Sequence, residues 1–372
     1  MTDKLGYAGA TLHGAGRLVV AWSEAFDPSR VKIVACALRD PGRLYEGFER
    51  AGVPITFLGV RRYDPSAILR LIRLIRAHQI DVLHLQEFGA STFGRIAGLL
   101  TRRPTIVHVH AEYGDSAVGG YPLLVRAVDH LLSALTTRVV AVSHSVADYC
   151  VGQMGFRRSQ VVVIHNPLTR EMPPADETSL APLRRLYGLP PDAVVVGTVT
   201  RFHPVKGTTF LLEAFARVLH AVPNSYLLIV GDGPERAALE AQARSLGIER
   251  RAVFAGFRDD IEEHLRLFRV AVIPSLHEGL PLAGVEALSA GVPLVASRVG
   301  GLPELVSEGR TGFLVEPGNA TAIADAVIRI LQDPELERSL RAHCLTEARQ
   351  FSMSTFVTRM EETYRATVEA GA

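Results

Sequence analysis

The chain is poor in cysteine and has no long apolar run. Each of these features limits the classes of protein to which it can belong. Its three cysteines, Cys36, Cys150 and Cys344, lie far apart and show neither metal nor redox spacing. We therefore expect no disulfide framework and a reducing compartment. No stretch approaches the roughly eighteen apolar residues of a membrane span, and the N-terminal residues lack a signal-peptide core. These shortages predict a cytoplasmic protein.

Net charge is also nearly absent, at +1 for 372 residues, but it is unevenly distributed. Residues 1–170 contain 20 Lys or Arg against 13 Asp or Glu, whereas the remainder contains 20 against 26. Within the basic half, segment 65–79 places Arg70, Arg73 and Arg76 on one helical stripe. Such a stripe is typical of a solvated helix face, and it is also compatible with peripheral contact at the inner face of an anionic membrane. We expect no nucleic-acid partner.

Short runs rich in Val and Ile alternate with helical patterns along the chain, which predicts an α/β fold with parallel sheets. With 48% hydrophobic and 21% charged residues, 372 residues are enough for two globular domains. The predicted strands are 31–38, 55–60, 82–86, 105–110, 138–143, 161–165, 194–200, 226–230, 252–255, 270–274, 293–297 and 313–315. The polar, proline-rich segment 166–179 predicts an inter-domain hinge.

Two acidic residues flank the start of a predicted helix in the second half. A buried strand is predicted over 270–274 and a helix over 282–290, with Glu278 before the helix start and Glu286 in its second turn. Helical side chains lean toward the N-terminus, so we expect Glu286 to point back toward Glu278 into one pocket. Carboxylates accept hydrogen bonds from vicinal hydroxyls, which indicates a polyhydroxyl ligand.

The same helix start offers backbone amides to an anion. The N–H groups of Gly279, Leu280, Leu282 and Ala283 have no helical partner and lie at the positive end of the helix dipole, with Pro281 among them. Together with the two acids, these amides predict a polyhydroxyl ligand that bears phosphate. This interpretation requires that the charged residues of the site are not buried inside a domain.

Two cations at a second strand-to-helix junction would offset the charge of such a ligand. The sequence predicts a strand over 194–200, a loop over 201–207 and a helix over 208–221. Arg201 leaves the carboxyl end of the strand, the edge at which open parallel sheets bind ligands. Lys206 is one of only three lysines in the chain, which favours a role for a compact ammonium group.

Several motifs follow one another in the second half: Arg201…Lys206-Gly207, Gly231-Asp-Gly-Pro234, Glu278-x7-Glu286 and Gly300-Gly-Leu-Pro-Glu304-Leu-Val. Their order and spacing resemble the retaining glycosyltransferases of family 4. The resemblance implies the glycosyltransferase-B (GT-B) architecture, two Rossmann-like domains that face each other across a cleft. Residues 1–170 are then the acceptor domain, to which a C-terminal helix at about 352–369 crosses back, and residues 171–351 are the nucleotide-sugar donor domain.

The resemblance implies that a sugar moves from a nucleoside diphosphate sugar to a hydroxyl acceptor with retained anomeric configuration. The acceptor class is a glycan, a lipid-linked saccharide or a small molecule. Arg201 and Lys206, with the Gly279 and Leu280 amides, would stabilise the departing diphosphate, so neither a metal ion nor another cofactor is expected.

Further residues take positions in the donor site by the same resemblance. Glu286 would accept hydrogen bonds from the ribose, Glu278 would orient the sugar hydroxyls, and His110 would contact the sugar from the opposite domain. Asp232 and Glu304 would lie near the donor pocket. Two local alternatives remain: Asp232 as a turn residue, and Glu304 as a carboxylate at a helix N-terminus.

The N-terminal half departs from this pattern. A Rossmann-like domain normally begins with a central strand, whereas residues 1–10 start in what resembles the glycine-rich loop that follows it. The first strand is therefore predicted to be missing, because the sequence starts downstream of the true start or because the first domain is rearranged. Gly9 would still let the backbone approach a ligand. Asn166-Pro167 replaces the usual Asn-Gly and removes one backbone donor.

Three other functions remain open. A nucleotide-sugar 2-epimerase would use the same fold without an acceptor. A donor-binding protein with little activity is compatible with the missing strand. His108 and His110 share a strand face, which is compatible with a metal-dependent hydrolase, although no further ligand occurs at a supporting spacing. The nucleotide, the sugar and the acceptor are not determined by the sequence.

Overall fold

The chain divides into two compact units. The computed structural model describes residues 14–39, 44–61, 64–112, 123–170, 172 and 177–371. Unit 1 contains the described residues up to Thr169 and those from Phe351 onward, and unit 2 is Arg170–Gln350. No helix in the described ranges combines the length and apolar composition that a bilayer crossing requires.

Unit 1 alternates helices with short strands. Its elements are α1 (Gly14–Ala25), β1 (Ala35–Ala37), α2 (Leu44–Arg50), β2 (Ile55–Phe57), α3 (Ser66–Ala77), β3 (Leu83–Gln86), α4 (Phe88–Thr101), β4 (Thr105–Val109), α5 (Leu123–Ser133), β5 (Arg138–Ala141), α6 (His144–Gly152), β6 (Val161–Val163) and, after unit 2, α14 (Met353–Gly371). Strand β1 pairs with β2, and β3, β4, β5 and β6 form a second sheet in that order. Every pairing is parallel.

Helix α3 shows how the sequence pattern positions an element on the sheet of unit 1. Its buried residues Ala67, Leu71 and Ile75 recur every four positions and therefore form one stripe. This stripe belongs to an apolar cluster that also contains Cys36 of β1 and Leu83 of β3. Because this stripe is buried, the arginines of the helix lie on its exposed face, as the sequence predicted.

Unit 2 continues the alternation around a single larger sheet. Its elements are α7 (Glu177–Leu186), β7 (Val194–Val199), α8 (Thr208–Ala221), β8 (Ser225–Val230), α9 (Arg236–Ser245), β9 (Ala252–Gly256), α10 (Ile261–Leu267), β10 (Phe268–Ile273), α11 (Leu282–Ser289), β11 (Leu294–Ser297), β12 (Gly312–Val315), α12 (Ala320–Gln332) and α13 (Pro334–Glu347). Six parallel strands lie in the order β12-β11-β10-β7-β8-β9. Helices α8 and α12 contribute to its main apolar cluster.

The strand order of unit 2 reverses direction between β7 and β10. From β7 the chain builds outward through β8 and β9, then returns to the other side of β7 for β10, β11 and β12. This is the doubly wound order of a Rossmann-like domain, in which ligands bind at the carboxyl edge where the order reverses. The loops that follow β7 and β10 therefore meet at the switch point.

The structure confirms an α/β fold built from two Rossmann-like units with parallel sheets. A strand lies within or beside each of the twelve predicted apolar runs, and most are shorter than predicted. The largest difference is at 31–38, where only Ala35–Ala37 pairs with a neighbour. Residues 31–34 of this run are half-buried or exposed, and the strand is limited to the residues that pair with β2. In unit 1, no described strand lies between β1 and β3.

Candidate functional site at the switch point of unit 2

Lys206 and Glu278 form an ion pair at the switch point. The Lys206 ammonium lies 2.6 Å from Oε1 of Glu278, and their side chains are 22% and 9% exposed. Lys206 follows β7 and Glu278 follows β10, two adjacent strands that end at the same edge. The structure thus brings together one cation and one acid that the sequence assigned to a common ligand site.

Local turn geometry places the Lys206 side chain. After β7, residues Pro204–Lys206 form one 3-10 turn, and the ring of His203 accepts a hydrogen bond from the Val205 N–H at 3.4 Å. Gly207 follows this turn with φ of +61° and is the N-cap residue of α8. A Cβ at Gly207 would collide with the carbonyl oxygen of Pro274, so glycine is required for the close approach of the two loops.

The Glu278 carboxylate is held by a second side chain, which the sequence did not predict. Ser275 Oγ donates to Oε1 of Glu278 at 2.8 Å, so Lys206 and Ser275 bind the same oxygen. Ser275 is buried. Its position three residues before Glu278 in a tight loop is the only sequence signal that pointed to this contact.

Main-chain hydrogen bonds tie the loops around the pair. The Leu276 N–H donates to the Val205 carbonyl at 2.8 Å, which joins the loop after β10 to the loop after β7. The Gly301 N–H donates to the Gly279 carbonyl at 2.8 Å, which joins the loop after β11 to the loop after β10. The ion pair therefore rests on three loops that are bonded to one another by their backbones.

Gly300 brings the third loop directly against Glu278. Its φ is +53°, and a Cβ there would collide with the Glu278 carbonyl oxygen. Glu304, a few residues later, lies in a single 3-10 turn, Leu302–Glu304, and is half-buried. The alternative that Glu304 stabilises the N-terminus of an α-helix is wrong, because this turn does not continue into one.

Helix α11 begins where the sequence predicted an anion-binding helix start. Pro281 is its N-cap residue, has an extended backbone and provides no side-chain cap, and Leu282 is the first helical residue. Gly279 and Leu280 are buried just ahead of it. The backbone amides of this turn and the positive end of the helix dipole lie directly after the Glu278 loop.

We expected Arg201, Lys206, Glu278 and Glu286 all to be accessible, and this expectation is wrong for Glu286, which is only 6% exposed in the second turn of α11. A carboxylate is costly to bury unless polar groups surround it. Burial counts against direct contact of Glu286 with a ligand, and its role in ribose binding stays an untested prediction, whereas the Glu278 and Lys206 pair lies at the edge of the sheet.

Arg201 and His203 lie in the same loop as Lys206, after β7. Arg201 is exposed at the end of β7. The pKa of His203 is lowered, chiefly by burial and further by the positive charges of Arg201 and Lys206, against an opposing effect of Glu235. His203 is therefore neutral at pH 7 and accepts a hydrogen bond from the backbone. A single histidine in a loop carries no sequence pattern, so this contact could not be predicted from the sequence.

The Asp232 carboxylate forms hydrogen bonds with neighbouring residues. One of its carboxylate oxygens accepts from the Gly233 N–H at 2.7 Å, and the other accepts from Arg236 at 3.1 Å. Its carbonyl accepts from the Phe202 N–H at 3.0 Å. Gly231 packs against the Thr200 carbonyl, where a Cβ would collide. These contacts favour the turn role of Asp232, which supports the loop of Arg201.

In unit 1, His110 follows β4 in a stack of imidazole rings. The rings of His108 and His110 lie 4.2 Å apart, and His110 Nε2 lies 3.3 Å from Oε1 of Gln86. His108 in turn contacts His84 through ring nitrogens 3.1 Å apart. Burial lowers the pKa of His110 to about 4 and holds the pKa values of His84 and His108 well below the usual range.

Side chains from α1 and α14, which are distant in sequence, pack against this stack. His84 Nδ1 lies 2.7 Å from the Tyr364 hydroxyl of α14, and Trp22 of α1 stacks on His108 with ring centres 5.4 Å apart. Within the described ranges, no group of three or more His, Cys, Asp or Glu residues has the arrangement of a metal site. Gly9 lies outside the described residues.

Two family models match consecutive parts of the chain. The model described as "Glycosyltransferase Family 4" matches residues 12–171, and the model described as "Glycosyl transferases group 1" matches residues 182–350. The second match contains the loops of the ion pair. The first contains the imidazole stack apart from its contacts with α14.

Similar proteins include two bacterial enzymes. N-acetyl-alpha-D-glucosaminyl L-malate synthase of Bacillus anthracis is 33% identical over 183 residues, about half of each protein (49% of this chain and 48% of the relative). UDP-Gal:alpha-D-GlcNAc-diphosphoundecaprenol alpha-1,3-galactosyltransferase of Escherichia coli is 27% identical over 280 residues, 73% of this chain and 72% of the relative.

Among solved structures, Anabaena Alr3699/HepE in complex with UDP has the same fold. It superposes with a TM-score of 0.85 at 24% identity, over 98% of each chain. The same protein in complex with UDP-glucose gives a TM-score of 0.82 at 23% identity, over 98% of this chain and 99% of that one.

Proposed function

Because the chain belongs to glycosyltransferase family 4 and is a glycosyltransferase of GT-B architecture, we propose that it transfers a sugar from a nucleoside diphosphate sugar to a hydroxyl acceptor with retention of configuration. The proposed reaction needs no metal ion. The observation that carries the proposal is the Lys206 and Glu278 ion pair at the switch point of unit 2.

Lys206 and Glu278 carry opposite charges, which would suit the diphosphate and the sugar ring of the donor. When the bond to the sugar breaks, negative charge develops on the diphosphate and positive character on the sugar ring. Lys206, with Arg201 and the amides at the start of α11, would stabilise the diphosphate. Glu278 would orient sugar hydroxyls and add negative potential near the ring. Ser275 and the main-chain ties fix this geometry before the donor arrives.

We propose UDP as the nucleotide. A related protein of the same fold is described with UDP and with UDP-glucose, and the Escherichia coli relative is described as a UDP-Gal-dependent enzyme. The roles of Glu286 in ribose binding and of His110 in sugar positioning stay predictions, as does that of Glu304.

The acceptor is proposed to be a saccharide or a lipid-linked saccharide. Helix α3 presents exposed Arg70, Arg73 and Arg76 together with Leu69, whose side chain is 62% exposed. Cations beside an exposed apolar side chain are suited to contact with anionic headgroups. Peripheral contact with a membrane would bring the enzyme to a lipid-linked acceptor.

A nucleotide-release assay tests the proposal. The purified chain is offered UDP, GDP and ADP sugars, with soluble saccharides or with lipid-linked saccharides in anionic vesicles, and with or without EDTA. We expect UDP release that depends on an acceptor and is unchanged by EDTA. Lys206→Ala should lower turnover by about 100- to 1,000-fold, which is the usual effect of removing one group that stabilises developing negative charge.

Lys32→Ala is the matched control, because Lys32 is an exposed lysine of unit 1. It should retain wild-type turnover. Wild-type turnover in Lys206→Ala would refute the role of the ion pair. Loss of activity in EDTA with recovery on adding a divalent ion would refute the metal-free reaction.

The split sheet of unit 1 favours one alternative, a donor-binding protein with little activity. The same assay separates the two functions when a binding measurement accompanies it. UDP-sugar binding without release of UDP under any acceptor condition would favour the alternative. Release without an acceptor, with a rearranged free sugar, would indicate an epimerase.

A further inference from the structure

Four polar side chains form a two-by-two arrangement on one face of two adjacent strands in unit 1. Gln86 of β3 is in register with His108 of β4, and the two strands are parallel. Residues two positions apart on a strand share a face, so His84 lies beside Gln86, and His110 lies beside His108. We call these four residues the polar array. It lies at the carboxyl ends of β3 and β4, and His110 is the member that the sequence assigned to the sugar.

The contacts within the polar array repeat along one diagonal. His84 Nε2 lies 3.1 Å from Nδ1 of His108, and Gln86 Oε1 lies 3.3 Å from Nε2 of His110. Each contact joins a residue of β3 to the residue of β4 that is 24 positions later. Gln86 therefore contacts His110 as His84 contacts His108. The two contacts differ in chemistry, because a glutamine side chain does not titrate and its carbonyl oxygen can only accept a hydrogen bond.

The Gln86 contact determines which nitrogen of His110 carries the proton. Because the Gln86 carbonyl oxygen only accepts, Nε2 of His110 donates. A neutral imidazole bears one proton, so Nδ1 is left with a lone pair that can accept. Burial lowers the pKa of His110 to about 4, and the imidazoles that stack with it, His108 and then His84, are also kept neutral by burial. The ring of His110 is therefore neutral at pH 7.

Two contacts fix the orientation of the His110 ring. His108 stacks on its face, with ring centres 4.2 Å apart and an angle of 21° between the planes, and Gln86 binds its Nε2. Gln86 is itself immobilised, since it is only 1% exposed at the end of β3. His110 is half-buried, and no described residue forms a hydrogen bond with its Nδ1. The ring thus presents a lone pair in one defined direction.

We propose that Gln86 is a positioning residue of the transfer reaction, which orients His110 so that Nδ1 accepts a hydrogen bond from a substrate hydroxyl. This inference rests on the proposed function and on the predicted contact between His110 and the sugar. A hydroxyl can donate to the Nδ1 lone pair, whereas the oxygens of an ionised diphosphate can only accept. The orientation set by Gln86 therefore favours a sugar hydroxyl over a phosphate at this position.

Gln86 also satisfies a polar group of a half-buried ring, and this contact alone would contribute to stability. Loss of stability in a variant therefore does not distinguish a positioning role from a structural one. The protonation state of the ring does, because only positioning requires that one particular nitrogen of His110 carries the proton.

Nitrogen NMR of protein labelled with 15N-histidine measures this protonation. In the wild type we expect His110 to be protonated at Nε2 between pH 6 and 8, and loss of its signals in His110→Phe assigns them. Gln86→Met keeps the length of the side chain but removes the acceptor, so the proton should move to Nδ1 or exchange between the two nitrogens. kcat/KM for the donor should fall at least about tenfold, comparable to the loss of an outer partner of a metal-binding histidine.

Gln153→Met is the matched control, because Gln153 is an exposed glutamine of unit 1 that bonds to Arg126 and lies outside the polar array. It should keep the wild-type protonation of His110 and the wild-type turnover. Unchanged protonation of His110 in Gln86→Met would overturn the inference. So would wild-type kcat/KM in Gln86→Met once the proton has moved.

Gln86→Glu separates positioning from folding. A carboxylate still accepts from Nε2 but stabilises the imidazolium form, so the pKa of His110 should rise. A protonated ring has no lone pair at Nδ1, so the acid limb of the pH dependence of kcat/KM should move to higher pH by at least about one pH unit. Turnover above this limb should return toward the wild type. An equal loss at every pH, with the melting temperature of Gln86→Met, would indicate a structural role and contradict the inference.

Failure of the proposed function gives a different result. Absence of turnover in the wild type with every donor and acceptor would refute the proposed function, and the positioning role with it. Turnover in the wild type that Gln86→Met retains would refute the positioning role alone. The NMR measurement needs no substrate, so it tests the contact between Gln86 and His110 in either case.

Discussion

At the scale of single residues, the two units show two different uses of polar side chains. Lys206 and Glu278 are opposite charges that satisfy each other at the edge of a sheet and remain reachable. The imidazoles of unit 1 are kept neutral by burial, which lowers the pKa of His110 to about 4. Neutral rings can stack and share hydrogen bonds, whereas three adjacent imidazolium ions would repel one another.

The lowered histidine pKa values predict loss of stability in acid. An imidazole has a pKa near 6.5 when unfolded, so the unfolded chain binds protons that the folded chain excludes as the pH falls below 6.5. The stabilisation is complete above pH 6.5 and is lost progressively between pH 6.5 and 4. For a single group with a folded pKa of about 4, the loss reaches up to about 3 kcal/mol at pH 4. Urea unfolding of unit 1 at pH 7.5, 6.0 and 5.0 measures it.

His108→Phe should weaken this pH dependence, because a phenyl ring preserves the stacking but does not titrate. His220→Phe is the control, since His220 is exposed at the end of α8 and lies outside the imidazole stack. A pH dependence that is the same in His108→Phe and in the wild type would show that the imidazole stack is not its source.

At the scale of elements, glycine at three loop ends sets how closely the loops of the site approach. Gly207, Gly231 and Gly300 each lie against a carbonyl oxygen of a neighbouring loop. A side chain at any of the three positions would push one loop away from the next. The position of Glu278 therefore depends on Gly300 as well as on its own strand.

Gly300→Ala should displace the Glu278 loop and lower kcat/KM for the donor by at least about tenfold. Gly309→Ala is a matched control, because Gly309 has φ of +70° but open space around its Cβ position. Both substitutions pay the cost of a left-handed conformation, of the order of 1 kcal/mol, and only the first collides with a neighbour. Kinetics and melting temperatures of the two variants measure the difference. Equal kinetic losses would contradict a role for the close approach.

The sequence predicted the elements better than their contacts. Apolar runs predicted every strand of the described residues, and the junctions after β7 and β10 predicted that Lys206 and Glu278 belong to one ligand site. Ser275, His203 and the ring partners Trp22 and Tyr364 were not predicted. Their contacts arise from tertiary packing, between His84 and Tyr364 across 280 residues, and no local periodicity encodes such a pairing.

At the scale of the whole molecule, we propose that the two units are separate domains. Unit 2 has an apolar cluster of its own, which draws on α8, α12 and both sides of its sheet. Unit 1 includes α14. Phe356 and Met360 of this helix are buried, and Tyr364 contacts His84. The residues that return to unit 1 from Phe351 onward make its boundary discontinuous in sequence.

The fragment 170–350 should therefore fold alone with the circular dichroism and exchange pattern of unit 2. A chain that ends at Gln350 should keep the transition of unit 2 and lose that of unit 1, because Trp22 and His84 lose their partners on α14. Calorimetry of the three chains distinguishes the two transitions. A fragment 170–350 without a cooperative transition would refute the independence of unit 2.

The glycine contacts at the edge of unit 2 have a consequence for diversification. The surface beneath the Lys206 and Glu278 pair is main chain packed on main chain, as at Gly207 against Pro274 and Gly300 against Glu278. Contacts between main-chain atoms do not depend on the identity of the surrounding side chains. The outer residues of these loops can then vary without changing the geometry of the ion pair. Libraries that vary those residues are therefore a natural starting point for redesign.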